Sequence, residues 1–313
     1  MLRYAELMIA LSMKHLRYFD ALAKIGHFGR AAEACAISQP ALSLQIRELE
    51  ELIGAPLVER GSRQIRLTTL GEEFAERTRA ILQSVDELQD LARARHGPLS
   101  GRLRIGVIPT VAPYLLPQVI KTLTRHYPGL EARPREAVTQ KLIEDLLEAR
   151  LDMAIVALPV SEPSLEEIPL FSEEFILVRP MEDAGMPVPS ADKLGEMRLL
   201  LLEEGHCFRN QALSFCSTTN APPRVLMEGS SLSTLVQMVG AGIGVTLIPQ
   251  MAVDMETRQS TVSVFRLAEP RPSRTIGIVW RKSNPLSARF AHISEIIRDC
   301  GLQKIQGGNV STR

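Results

Sequence analysis

The spacing of apolar positions changes several times along the chain, and each change marks an element. Leu16, Phe19, Leu22 and Ala23 share one helical face and predict a first helix near 15–24. A short second helix is predicted over Gly29–Cys35, around Ala31 and Ala32. A third is predicted over Gln39–Ile53, where Leu42, Ile46, Leu49 and Ile53 recur at i, i+4, i+7 and i+11. Ser38 is placed to cap it, Pro40 in its first turn lacks only a donor that would be orphaned anyway, and Gly54 stops it. From Leu57 to Leu67 two short alternating arms flank Gly61-Ser62, which predicts a hairpin. Thr69–Arg95 then contains no Pro and only Gly71. Phe74, Ile81 and Leu88 repeat every seven residues, interleaved with Thr78, Val85 and Ala92, along a helix roughly 40 Å long. One helix cannot bury such a seam alone, so a second copy of the chain is expected against it.

Beyond the linker His96–Gly101 the pattern becomes α/β. Apolar strands are predicted at 103–108, 152–157, 175–179, 198–202, 244–248 and 275–280, with helices at 114–126 and 139–149. Strands alternating with helices predict a largely parallel sheet. About 200 residues is large for one such layer set, and two lobes around a cleft fit better. The expected organisation is an N-terminal extension (1–12), a winged helix-turn-helix domain (13–68), a dimerising linker helix (69–96), a hinge (97–102) and a regulatory domain (103–302). Lobe I covers about 103–172 plus 275–302, lobe II about 173–274, and 303–313 forms a disordered tail.

Composition narrows the function only slightly. Lys+Arg and Asp+Glu both number 36, so a polyanionic partner has to be argued from local motifs. Aromatics are only 4%, too few for single-strand stacking platforms. No run approaches the ~18 apolar residues of a membrane span, and Leu7–Leu11 is short for a signal-peptide core, so a cytoplasmic protein without a membrane partner is expected. Four cysteines and six histidines without ligand spacing predict neither a disulfide scaffold nor a metal site, and no cofactor is expected.

Two short helices, a tight turn, a capped third helix and a hairpin make a winged helix-turn-helix. Ser38, Gln39, Pro40, Ser43 and Arg47 suit a major groove, where Gln pairs with adenine and Arg with guanine. Arg60, Arg63 and Arg66 on the wing suit phosphates or a minor groove. Glu48, Glu50, Glu51 and Glu59 keep the region from being strongly basic. A helical cap domain with solvated charges is the alternative.

The run Phe28-Gly29-Arg30-Ala31-Ala32, Ser38-Gln39-Pro40-Ala41-Leu42-Ser43, Ile46-Arg47-Glu48-Leu49-Glu50 and Leu67-Thr68 to Gly71 resembles the LysR-type transcriptional regulators. Arg104-Ile105-Gly106, Leu115-Leu116-Pro117, Tyr127-Pro128 and Gly242 to Pro249 resemble their effector half. The likeness covers residues 14–300. It implies a multidomain protein: an all-α winged helix-turn-helix, a long linker helix and a two-lobed α/β effector domain like periplasmic binding proteins. It further implies dimers assembled into homotetramers, an operator in double-stranded DNA, and contact with RNA polymerase.

Gly205-His206-Cys207-Phe208-Arg209-Asn210 to Cys216, with Ile108 to Val111, Pro113 to Pro117 and Glu136 to Thr139, is similar to the OxyR branch, the hydrogen-peroxide sensors. The resemblance implies a peroxidatic Cys207, a resolving Cys216 and a thiol reductant. It places Thr110 and Thr139 on the peroxide, and His206, Arg209 and Arg281 around the reactive cysteine. Asn210 departs from the Asp of some members. Cationic neighbours and a helix start favour a thiolate, and a sulfenic acid condenses with a second thiol. If Cys207 and Cys216 share one helix, their Cα atoms lie roughly 13 Å apart, and a disulfide needs less than about 7 Å. Pairing then requires the segment to unwind. The alternatives are two unrelated packed cysteines, a regulator gated by an organic acid, and a thiol peroxidase or cysteine hydrolase. Cys35 and Cys300 are expected to be packing residues.

Overall fold

The computed structural model describes residues 11–59, 65–95, 100–216 and 225–307, which divide into two units after Gln89. In the first, α1 (Met13–Ile25) starts at a reciprocal cap. Ser12 Oγ accepts from the His15 amide, and the His15 imidazole accepts from the Ser12 amide. Gly26, at φ +66°, ends it in the left-handed region that glycine tolerates. α2 (Phe28–Ala34) is capped by the His27 imidazole, and α3 (Gln39–Ile53) by Ser38, whose hydroxyl accepts from the Ala41 amide at 3.3 Å. β1 (Val58–Glu59) and β2 (Arg66–Leu67) pair antiparallel as the wing. Phe19, Leu22, Leu42, Ile46, Leu49 and Leu57 fill the core between them.

Of Glu48, Glu50, Glu51 and Glu59, the structure buries Glu50. Its carboxylate accepts from the amides of Leu57 at 2.9 Å and Val58 at 3.1 Å, satisfying the first donors of the wing. Position 50 continues the buried stripe of Leu42, Ile46 and Leu49, and a buried carboxylate there needs those bonds.

α4 (Thr69–Arg95) runs 27 residues, as the seam predicts. Gly71 lies so near the wing that a Cβ there would meet the Leu57 carbonyl at 2.0 Å. Phe74 departs from expectation. It packs edge-on against Phe19, centroids 5.4 Å apart, within its own unit, because the first turns of α4 lie on the helix-turn-helix core. Ile81 and Leu88 are 43% and 63% exposed, and Val85 is half-buried.

The second unit is α/β. Its elements are β3 (Gly101–Val107), α5 (Ala112–His126), β4 (Leu130–Glu136), α6 (Thr139–Leu147), β5 (Met153–Leu158), β6 (Leu165–Pro180), α7 (Ala191–Glu196), β7 (Leu199–Leu202), α8 (Cys207–Cys216), β8 (Val225–Gly229), α9 (Leu232–Gly240), β9 (Thr246–Pro249), α10 (Val253–Glu256), β10 (Val262–Arg266), β11 (Ser273–Arg281) and α11 (Ser287–Gly307). One lobe has the strand order β6–β11–β5–β3–β4. In the other, β9 and β10 flank β6, and the parallel pair β7–β8 joins through a bridge from Leu199 to Val245.

The first lobe's sheet is mixed, where a largely parallel one was expected. β3 pairs parallel with β4 and β5, but β11 runs antiparallel to both β5 and β6. The reason is β6, a 16-residue strand that crosses between lobes. It pairs with β11 over its first part and with β9 and β10 over its last, so the chain returns along β11 in the opposite sense. One continuous apolar core runs through both lobes.

The chain end also departs from expectation. α11 continues through Gly307, although residues from Gln303 were expected to be disordered. Gln118 donates to Gln303 at 2.9 Å, Gln250 to the Ile305 carbonyl, and Ile305 packs on the core. These anchors outweigh a polar, Gly-containing sequence. Residues 308–313 and the extension up to residue 10 lie outside the described residues.

Candidate functional site

The thiol site begins where β7, buried at all four positions, leaves the sheet. The chain turns at Gly205, whose φ of +96° disfavours any side chain, and enters α8. Cys207 is the first residue of that helix, half-buried, with a free thiol. Cys216 closes the same ten-residue helix. Nine residues of helical rise separate them by roughly 13 Å, so the wound helix keeps the two apart. Phe208 faces the core, its ring tilted against Phe175 with centroids 4.7 Å apart.

His206 is 6% exposed. Burial lowers its imidazole pKa against the opposing pull of Glu203 and Glu136, which favours the neutral ring. The α6 start lies beside the same turn: a Cβ on Gly205 would sit 3.9 Å from Val138, the residue before Thr139. Thr139 Oγ1 is buried and has no hydrogen-bond partner among the described residues. Thr110, just past β3, is 3% exposed. Thr110 and His206 line one cavity of about 110 Å³ between the lobes, with Tyr114, Glu136, Ser231 and Glu256. At ~30 Å³ per water that space holds about four waters, well below the ~300 Å³ at which sites for drug-sized ligands begin.

Two of the expected cations are engaged elsewhere. Arg209 is bound to Glu228 at 2.8 Å and to the Leu202 carbonyl at 3.4 Å, fastening α8 to the β7–β8 pair. Arg281 was expected around the cysteine. It is buried at the far end of β11, donating to the carbonyls of Leu146 and Leu151. Arg274, seven residues earlier and roughly 23 Å away along the strand, is the cation that reaches the site. It donates to Thr110 Oγ1 at 2.7 Å and to the Thr110 carbonyl at 3.1 Å, and its guanidinium lies 5.2 Å from the Phe208 ring. Glu173 neutralises it at 2.7 Å and accepts from the Met251 amide at 3.1 Å. A buried pair of this kind is stable only when its remaining hydrogen-bonding atoms are satisfied, as these are by Thr110 and Met251.

In the first unit, α3 presents Gln39, Pro40 and Arg47 to solvent and Ser43 half-buried. Positions 39, 40, 43 and 47 form one face beside the core stripe. Leu44 is 54% exposed on that face, an apolar residue the sequence reading passed over although it falls off the buried stripe. Arg66 is exposed on β2; Arg60 and Arg63 lie outside the described residues.

A family model described as "Bacterial regulatory helix-turn-helix protein, lysR family" matches residues 13–72, and "LysR substrate binding domain" matches 96–300. The chain belongs to the LysR family of bacterial regulators. Within that family it falls in the OxyR branch. It is 41% identical over 292 residues to the DNA-binding transcriptional dual regulator OxyR of Escherichia coli, covering 92% of this chain and 95% of that protein. Among solved structures, a full-length OxyR variant from Pseudomonas aeruginosa has a TM-score of 0.73 at 35% identity, covering 93% of this chain and 96% of that one. A hydrogen-peroxide-bound OxyR variant from Corynebacterium glutamicum has 0.64 at 32%, covering 94% and 96%. This chain carries its winged helix in one unit and its cysteine helix in the other. The other cysteines suit packing roles. Cys300 is 3% exposed against Thr122, and burial with the nearby Asp20 charge pushes the Cys35 thiol pKa up, away from thiolate.

Proposed function

We propose that this chain is a cytoplasmic, peroxide-responsive transcription regulator and not an enzyme. The observation that carries the reading is a free Cys207 at a helix start, next to His206, which lines a cavity of about 110 Å³ together with Thr110. That space admits a molecule the size of peroxide and excludes drug-sized ligands; the free Cys207 beside it is what favours peroxide over a small organic acid. The Cys207 thiolate attacks one peroxide oxygen; the O–O bond breaks, and hydroxide leaves as water after taking a proton. Thr110, Thr139 and neutral His206 serve as hydrogen-bonding groups for the two oxygens. Cys216 then attacks the sulfenic sulfur, the S–S bond forms and a second water leaves. A dithiol reductant returns the two electrons.

Closing that bond requires α8 to unwind, and the refolded segment changes how the dimer or tetramer holds its operator. Gln39, Pro40, Ser43 and Arg47 read bases, Ser38 caps the reading helix, and Arg60, Arg63 and Arg66 meet phosphates. Ile81, Val85 and Leu88 pair the linker helices. RNA polymerase at catalase and peroxidase promoters is the downstream partner, and the oxidised form acts as the activator.

The test is footprinting of an operator before and after peroxide. Cys207→Ser stays in the reduced footprint, and Cys216→Ser responds slowly and accumulates sulfinic acid. Cys35→Ser and Cys300→Ser respond as wild type. A Cys207→Ser protein that still shifts its footprint with peroxide contradicts the reading.

A further inference from the structure

The thiol site draws its halves from different lobes: Thr110 from the β3 end, His206 and Cys207 from the β7–α8 turn. Groups that must grip one small molecule together need the two lobes held at a fixed span. One carboxylate is placed to do this. Glu256, on α10, accepts from the Tyr114 hydroxyl through Oε1 at 2.6 Å and from the Ser233 hydroxyl through Oε2 at 2.6 Å. Tyr114 lies on α5 of one lobe, in the first turn after Thr110; Ser233 lies on α9 of the other. Each carboxylate oxygen therefore takes one hydroxyl, and the two hydroxyls come from opposite lobes.

We propose that Glu256 is a positioning residue that clasps Tyr114 and so sets the distance between Thr110 and His206 across the cavity. All four residues line that cavity. Tyr114 is 7% exposed, so its phenol is shielded from competing water. Burial first, then the bond to Glu256, pushes the phenol's pKa above the ordinary tyrosine range, which keeps it a donor. A hydrogen bond to a charged acceptor is about twice as strong as a neutral one, which suits a clasp between two bodies. Glu256 and Tyr114 need not touch peroxide in this role.

The inference rests on the peroxide reading above. Its test uses the full-length reduced protein and two reagents for the same thiol. Time courses of free Cys207 thiol remaining, quenched with a thiol-blocking reagent, give the rate at which Cys207 reacts with hydrogen peroxide, and iodoacetamide gives its rate of simple alkylation. Tyr114→Phe and Glu256→Ala should slow the peroxide reaction by about tenfold or more, the scale of one lost charged hydrogen bond, with alkylation unchanged. Glu256→Gln keeps one acceptor oxygen but loses the charge, so its peroxide rate should fall between those of wild type and Glu256→Ala. Unchanged peroxide rates in Tyr114→Phe and Glu256→Ala overturn the proposal. So do peroxide and alkylation rates that fall together, since the thiol itself would then have changed. If wild-type Cys207 shows no preference for peroxide over alkylation, the peroxide reading fails, and hydrogen exchange judges the clasp by itself. Faster exchange of the α10 and first-turn α5 amides in Tyr114→Phe upholds it, and unchanged exchange overturns it.

Discussion

At the scale of single residues, the thiol site joins neighbours along the chain to a cation brought in from a distant strand. Gly205, His206 and Cys207 sit together because they are consecutive, and the turn and helix start follow from their order. Arg274 reaches Thr110 only because β11 lies beside β6 and β5, a pairing no local pattern announces. Arg281, on the same strand, was the reading a linear match favoured, and strand geometry carries it away from the thiol. Glu50 shows the same limit: a glutamate inside a charged run looks solvated until its partners, the amides of Leu57 and Val58, are in place. His206 supports a pH prediction. Its folded pKa lies below the ordinary histidine value of about 6.5, chiefly through burial. Between those two values the unfolded chain binds more protons than the folded one, so stability is lost as pH falls below about 6.5. Denaturant melts of wild type and His206→Gln should show a shallower loss from about pH 7 to about pH 5 in the variant, which has no proton to take up there. An identical acid slope would assign the loss to other groups.

At the scale of elements, helices with a clear stripe were read well and their ends less so. Ser38, Gly54 and the Gln39–Ile53 stripe define α3 on chemical grounds, and the structure agrees. The heptad seam of α4 was legible as a period, but a period does not say which contacts are internal. Phe74 belongs to its own unit's core, whereas Ile81 and Leu88 are left open. Ile81→Glu combined with Leu88→Glu should therefore yield a folded monomer by sedimentation. Phe74→Ala should leave the oligomer intact and lower the stability of the helix-turn-helix unit by about 1–2 kcal/mol in a denaturant melt, since the ring is only half-buried. A double variant that sediments as an oligomer would place the interface off this seam. The last turns of α11 were lost to sequence reading because their support is tertiary, through Gln118, Gln250 and the core around Ile305.

At the scale of the whole molecule, alternating strands and helices announced an α/β unit after the linker, and the change of period near residue 100 announced a second unit. The mixed sheet was not legible, because only the pairing of β6 with strands of both lobes reveals which way β11 must run. One unit carries α3 with Gln39, Pro40 and Arg47 exposed, and the other places Cys207 and Cys216 at the two ends of α8. The most direct test is peptide mass spectrometry of the full-length protein after a stoichiometric amount of hydrogen peroxide, with free thiols blocked before digestion. The account predicts one crosslinked species joining the Cys207 and Cys216 peptides, with Cys35 and Cys300 recovered as blocked thiols. Recovery of Cys207 as a blocked thiol while Cys35 or Cys300 is oxidised would contradict it.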